Sequence, residues 1–254
     1  MPGVFTHLHS FAYRPGTGKT MLVRAAANES KCILFCCTAS ALTSKWHGEG
    51  EKLLRTLFAV AIDASPSMIF FDEIDALLSR RKGDGSEHEA SRRFKTEWMQ
   101  QVDGITTNKD SDISHRVLVL GCSNCPWDID DAAMRRLERR IYVPLPDEEA
   151  RRFLLQKLLE KERGKYSLSK KQITSIMDRT EGFSCSDIKA IAQEAAFGPL
   201  RDLGSLSEVE KCKTDDIRLI SKRDFDEALA NAKRSISDEL LNKYQVWEDK
   251  QSAR

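Results

Sequence analysis

"YRPGTGKT", residues 13–20, ends as a phosphate-binding loop should and begins as one should not. The pattern asks for glycine, four residues, then Gly-Lys-Ser/Thr. Gly18, Lys19 and Thr20 satisfy it, while Tyr13 stands where the first glycine belongs. Glycines at 16 and 18 let backbone N–H groups turn toward phosphate oxygens, Lys19 adds positive charge at the β- and γ-phosphates, and Thr20 offers a hydroxyl to a divalent cation. The run "MLVRAAANE" that follows is a good helix whose N-terminus favours an anion. Pro15, Gly16, Thr17, Gly18, Lys19, Thr20 and Met21 are therefore the expected cofactor-binding run.

Working outward, the next informative stretch is "MIFFDEID", residues 68–75. It places Asp72 and Glu73 at the end of a buried apolar strand, where two adjacent carboxylates are costly unless they bind something. Asp72, with Thr20, is expected to hold the magnesium shell, and Glu73 to orient and polarise an attacking water. Following a Gly-Lys-Thr turn at a separation that fits one βαβ passage, the pair points to nucleotide hydrolysis. Asn124, closing "RVLVLGCSN", is positioned to hold the lytic water. Arg135 and Arg136 in "AAMRRLERR" are candidates to meet transition-state charge.

The short apolar runs "CILFCC" (32–37), "SMIFFDE" (67–73), "RVLVLGCSN" (116–124) and "RIYVPLP" (140–146) are rich in branched and aromatic residues, which suits strands buried on both faces of a parallel sheet. Amphipathic stretches such as "EGEKLLRTLFAVAIDA" and "ASRRFKTEWMQQVDG" separate them, giving a β-α alternation. After Pro146 the pattern becomes helical, with no strand-like run. The expected organisation is an α/β nucleotide-binding domain over residues 1–146 and an all-α lid with a C-terminal helix over residues 147–254.

The 254 residues carry 40 Lys+Arg against 39 Asp+Glu, a net charge of +1, so any basic surface is local and no nucleic-acid partner is expected. No apolar run is long enough to span a bilayer, and no secretory signal is recognisable. The seven cysteines are read in a reducing compartment. Cys122 and Cys125 form a Cys-x-x-Cys, but lack the second pair that a zinc site wants; with Cys36 and Cys37 they are read as buried, inert thiols.

Together the phosphate loop, "IFFDEID", "GCSNCP", "DAAMRRLERRIYVPLPDEEAR" and "EGFSCSD" resemble an AAA ATPase over roughly residues 15–250. "SALTSKWHGEGEKLLRTLFAVA", "GSEHEASRRFKTEWMQQVDG", "AAFGPLRDL" and "RSISDELLNKYQVWE" are similar to the microtubule-severing branch, which includes spastin, fidgetin and katanin. The rival branch, which disassembles ESCRT filaments, inserts a small β domain in its lid. Only about twenty residues separate "GPLRDL" from "RDFDEAL" here, which favours severing.

The resemblance implies a P-loop parallel sheet flanked by helices, ATP and Mg²⁺ as cofactors, and a homo-hexameric ring in which Arg135 and Arg136 act on the neighbouring subunit's nucleotide. Lys45, Trp46, His47 and Gly48 match the family's central-pore loop. Arg80, Arg81, Lys82, Arg92 and Arg93 match a second, basic pore loop. Microtubules, through the acidic tails of tubulin, are the implied partner, at a cytoplasmic and cytoskeletal address that extends to the nucleus.

The chain departs from the family where "GVFTHLHSFAYR" replaces an apolar strand and Gly-Pro, where Cys125 replaces an arginine, and where Cys185 replaces a glycine near the adenine site. Residues 1–14 are accordingly expected not to be family sequence, and the chain to be a fragment or to carry a mistaken start. If Tyr13 is genuine, weakened ATP binding follows. The alternative function is a catalytically impaired subunit that acts as an interaction module.

Overall fold

The computed structural model describes residues 9–13, 16–39, 42, 49–79, 89–107, 117–137, 139–161, 165–204 and 217–252. They group into two compact units. The first takes in residues 1–13 and 19–143, and the second residues 14–18 and 144–254, so the turn at 16–18 groups with the second unit.

The first unit is built on a five-stranded parallel sheet of β1 (His9–Tyr13), β2 (Ile33–Thr38), β3 (Ser67–Asp72), β4 (Val117–Ser123) and β5 (Arg139–Val143), in the spatial order β2-β3-β4-β1-β5. The stretch expected to be foreign to the fold supplies its strand next to the middle. β1 pairs in parallel with β4 through Phe11 and Cys122, and with β5 through Phe11 and Ile141. Its histidines and serine broke the apolar pattern, but strand pairing is made by backbone groups that do not depend on side-chain polarity.

Two other strand expectations need correcting. "CILFCC" and "RIYVPLP" were expected to be buried on both faces, yet β2 and β5 are the edge strands, and Ile33 and Ile141 are exposed. Among the strands whose side chains are described, β3 and β4 carry the continuous burial of a central parallel strand.

The period-two alternation along β3 splits the core between the two faces of the sheet. Met68 and Phe70 pack with Val23 and Ala27 of helix α1 (Lys19–Glu29), together with Leu120 and Cys122. Ile69 and Phe71 point the other way. There Phe71 stacks on Phe58 of α2 (Gly50–Asp63) and meets Trp98 of α4 (Glu89–Thr107) edge-on, each pair of rings 6.3 Å apart. Phe58, Phe71 and Trp98 are fully buried, and each is worth about 2–3 kcal/mol in apolar transfer. This anchorage fixes the C-terminal end of β3, from which the short helix α3 (Ile74–Leu77) departs. Helix α5 (Asp131–Arg136) is started by Asp130, whose carboxylate accepts from the Ala132 N–H.

The second unit packs α6 (Glu148–Lys161), α7 (Lys170–Arg179), α8 (Cys185–Arg201) and α9 (Lys222–Asn231) around Leu155, Ile176, Met177, Ile191 and Phe225, and ends in α10 (Asp238–Ser252). Ser169 with Gln172, and Ser184 with Asp187, form capping boxes at the starts of α7 and α8. The lid is helical as expected, with one addition that the sequence did not signal. Tyr166–Ser167 (β6) and Ile220–Ser221 (β7) pair in parallel. Two-residue strands leave no periodicity to read.

Beside β7, Arg218 grips the buried carboxylate of Asp224 with two 2.7 Å hydrogen bonds, while the Ser221 N–H and hydroxyl donate to the same carboxylate at 2.8 and 2.9 Å. The Arg218 guanidinium, and then the Ser221 bonds, hold the Asp224 carboxyl down at about 2 against the cost of its burial.

Candidate nucleotide site

Gly16 and Gly18 hold φ of +77° and +86°, angles that an L-residue adopts only with strain. The two are not equivalent. A Cβ at Gly16 would lie 1.9 Å from Ser186 Oγ and 2.8 Å from Ser184 Oγ, so this side of the turn is packed. A Cβ at Gly18 would meet nothing within 4 Å, so that side is open. Ser186 N–H donates to the Gly16 carbonyl at 3.0 Å. Pro15 lies outside the described residues, and Thr17 follows Gly16 in the turn.

From the start of α1, Lys19 and Thr20 reach across the C-terminal ends of the strands. Lys19 Nζ donates to the side-chain oxygen of Asn124, one residue past β4 and 105 positions away in sequence. Thr20 Oγ1 donates to Asp72 Oδ2 at 3.4 Å, long for such a bond, which leaves both oxygens available. Met21, expected in the cofactor-binding run, is 71% exposed.

Glu73 breaks the regularity of its own chain. It takes the left-handed conformation at φ +55° and ψ +43°, a position that costs a non-glycine residue about 1–3 kcal/mol. Asp72 Oδ1 accepts from the Glu73 N–H at 3.0 Å, which braces the turn. The two acids differ in exposure. Asp72 is half-buried beside Thr20, and Glu73 is exposed. Of the two acids expected to suffer burial, Asp72 alone is withdrawn from solvent, and Glu73 is exposed.

The two candidate arginines are also separated. Arg136 is clamped by Asp103 on α4, through Nε to Oδ1 at 2.7 Å and Nη2 to Oδ2 at 2.8 Å, and its Nη1 donates to the Ala132 carbonyl. This bond lowers the Asp103 carboxyl and raises the Arg136 guanidinium from their ordinary values. Arg135, on the next position of α5, is exposed.

Lys45, Trp46, His47 and Gly48, with Arg80, Arg81 and Lys82, lie outside the described residues. Arg92 and Arg93 are exposed in the early turns of α4. The cysteine reading holds for Cys122, which is fully buried and whose thiol burial pushes up to about 12. It fails for Cys36, exposed on the edge strand β2, and for Cys37 and Cys125, which are half-buried. Cys185 opens α8 half-buried, its thiol raised chiefly by burial.

Sequence reasoning missed Asp103 and the Ser184–Ser186 seat for Gly16. "EGFSCSD" pointed to the second of these, but an acid within an amphipathic helix gave no signal for the first.

Comparison with known proteins agrees with this arrangement. The model of the ATPase family associated with various cellular activities (AAA) matches residues 11–145, and that of the AAA+ lid domain matches residues 172–227. Fidgetin-like protein 1 of Caenorhabditis elegans is 44% identical over 236 residues, covering 93% of this chain and 38% of that protein. Spastin of Danio rerio is 47% identical over 234 residues, covering 92% and 39%. The chain thus spans well under half the length of these curated relatives. A crystal structure of the FIGL-1 AAA domain in complex with ADP superposes with a TM-score of 0.84 at 41% identity, covering 95% of this chain and 77% of that one. The family match begins at residue 11, inside the strand that sequence alone made suspect, and the chain belongs to the AAA family of ATPases.

Proposed function

We propose that this chain binds ATP with Mg²⁺ and hydrolyses it. The observation that carries the reading is the convergence of Lys19, Thr20, Asp72 and Asn124, from three separate elements, in two side-chain contacts at the C-terminal edge of a parallel sheet. Ligands of open α/β sheets bind at such an edge. Thr20 and Asp72 fit a magnesium ion. Their oxygens face each other at 3.4 Å without a tight mutual bond, and hard oxygen donors are what this cation takes. When bound, Mg²⁺ supplies charge neutralisation at the phosphates.

The chain's own residues do the rest. The open side of Gly18 lets phosphate approach the backbone, and Lys19 presents its ammonium to the phosphate oxygens. Glu73, exposed beside Asp72, accepts a proton from the attacking water, and the Asn124 amide orients that water. Arg135, the exposed member of its pair, reaches the transition state on a neighbouring subunit.

The likeness to fidgetin-like protein 1 and spastin supports a protein of that type, and the finer proposal is that it assembles as a hexamer and works on microtubules by pulling the acidic tail of tubulin. The FIGL-1 AAA domain was crystallised with ADP, which supports an adenine nucleotide as the ligand.

The test is steady-state ATP turnover over a range of protein concentrations, with and without microtubules, using Glu73→Gln as the blank. Turnover that rises cooperatively with concentration and again with microtubules is expected, with Glu73→Gln lower by about 100-fold or more. No turnover above the blank overturns the hydrolytic reading in favour of an impaired interaction subunit. Turnover indifferent to microtubules overturns the substrate.

A further inference from the structure

The packed side of Gly16 rests on a cluster of hydroxyls that phosphate-loop chemistry does not require. Ser184, fully buried at the start of α8, lies with its Oγ 3.0 Å from Ser186 Oγ and 3.3 Å from Ser235 Oγ. Ser235 comes from the segment between α9 and α10, some fifty positions further along the chain. Its hydroxyl donates to Asp187 Oδ2 at 3.0 Å, and its N–H approaches the same oxygen at 3.4 Å. The adjoining Arg234 guanidinium lies against Gly182, so residues 234–235 meet the turn that begins α8 at two points.

Proton counting gives the cluster a direction. Each serine has one proton to donate and two lone pairs with which to accept. Because Ser235 spends its proton on Asp187, the bond between Ser184 and Ser235 is donated by Ser184, and the bond between Ser186 and Ser184 is donated by Ser186. Ser184 Oγ also accepts from the Asp187 N–H at 3.2 Å, which fills its capacity. The chain Ser186 to Ser184 to Ser235 to Asp187 ends on a carboxylate, and hydrogen bonds arranged in sequence polarise one another. Its first member carries the N–H that holds the Gly16 carbonyl and the hydroxyl against which Gly16 packs.

We propose that Ser235 is a positioning residue for the phosphate loop: through Ser184 and Ser186 it fixes the seat of Gly16, and so the angle at which the loop presents its backbone N–H groups to phosphate. The proposal rests on the nucleotide reading above. Capping of α8 does not need Ser235, since Ser184 and Asp187 already satisfy each other. Ser235 is therefore available to serve the loop. Removing its hydroxyl returns a proton-donor choice to Ser184 and loosens Ser186 against Gly16.

The experiment titrates the whole chain with ADP carrying an N-methylanthraniloyl fluorophore on its ribose. It compares wild type with Ser235→Ala, Ser235→Thr and Lys19→Ala, and records the thermal melt of each. Ser235→Ala is expected to weaken binding by about three- to tenfold, a fraction of one charge-assisted hydrogen bond, while its melting temperature stays within about 2 °C. Ser235→Thr, which keeps the hydroxyl, is expected to restore wild-type affinity.

Wild-type affinity in Ser235→Ala, with Lys19→Ala defective, overturns the role of Ser235 and leaves the nucleotide reading standing. A loss in Ser235→Ala that Ser235→Thr does not rescue, and that tracks a lower melting temperature, also overturns it in favour of simple stability. Undiminished binding by Lys19→Ala overturns the nucleotide reading, and the role of Ser235 falls with it.

Discussion

The carboxylates of the two units are treated in opposite ways. Asp224 in the second unit is 1% exposed and saturated, with two bonds from Arg218 and two from Ser221. Asp72 in the first unit is half-buried and has a 3.4 Å contact with Thr20, and Glu73 beside it is exposed in a strained turn. Buried polar groups in a scaffold are stabilising only when every lone pair is used. In the proposed reading Asp72 and Glu73 receive a ligand, and groups with that task cannot be saturated by their own chain. The same contrast recurs within α5, where Arg136 is clamped by Asp103 and Arg135 is exposed.

The sharpest way to break this contrast is to exchange the two arginines' fates. Arg135→Ala is expected to lower ATP turnover by roughly 1000-fold at unchanged melting temperature, as loss of a guanidinium from phosphoryl transfer does. Arg136→Ala and Asp103→Ala are expected to leave turnover within about fivefold, since a partly exposed pair contributes only about 1 kcal/mol. Equal losses in Arg135→Ala and Arg136→Ala, measured as kcat at saturating ATP, would show that the clamp opens during the cycle.

Next comes Gly16→Ala. The added methyl meets Ser186 Oγ at 1.9 Å and forces a left-handed angle on alanine, so nucleotide affinity is expected to fall by roughly 100-fold in the same fluorescent titration. Gly18→Ala meets no protein neighbour, but its methyl stands on the side where phosphate approaches, so it is expected to weaken nucleotide binding while disturbing the melting temperature less than Gly16→Ala does.

In the saturated region the readout is stability. Asp224→Ala leaves Arg218 without its main partner and is expected to destabilise the lid by about 2–4 kcal/mol in urea unfolding. The acid limb follows with a definite sign. Because the folded Asp224 carboxyl is held down at about 2, below its ordinary value, its contribution is fully present above about pH 4 and is lost as the pH falls toward 2. Asp224→Asn should flatten that limb, which thermal melts between pH 2 and 5 would detect.

The smallest effect tests the edges. Iodoacetamide at pH 7.5 is expected to modify Cys36 on the exposed edge strand and to spare Cys122, whose thiol is buried and raised to about 12. Mass spectrometry of the native protein reads both sites.

Much of this was legible in the chain itself. Asp72 and Glu73 could be placed because an apolar run followed by two acids has few structural explanations. Lys19 and Thr20 could be placed because the loop chemistry needs those residue types in that order. The lid helices announced themselves through amphipathic periods and serine caps such as Ser169 and Ser184. What the run "HSFAY" conceals is that strand identity near the middle of a sheet comes from backbone pairing with β4 and β5, which its mixed side chains do not report. The edge positions of β2 and β5 are likewise invisible, since strand order is set by how the connections cross and not by composition.

The sequence by itself determined the fold class, the order of its motifs and the residue types at the phosphate loop, because periodicity and motif spacing are local properties of a chain. Only the tertiary structure decided which arginine is exposed and which is clamped, that Lys19 rests on Asn124 across 105 positions, and that hydroxyls from either side of α9 form the seat of Gly16. Those outcomes depend on contacts between residues far apart in sequence, whose geometry is fixed by packing between elements and not by the pattern within any one of them.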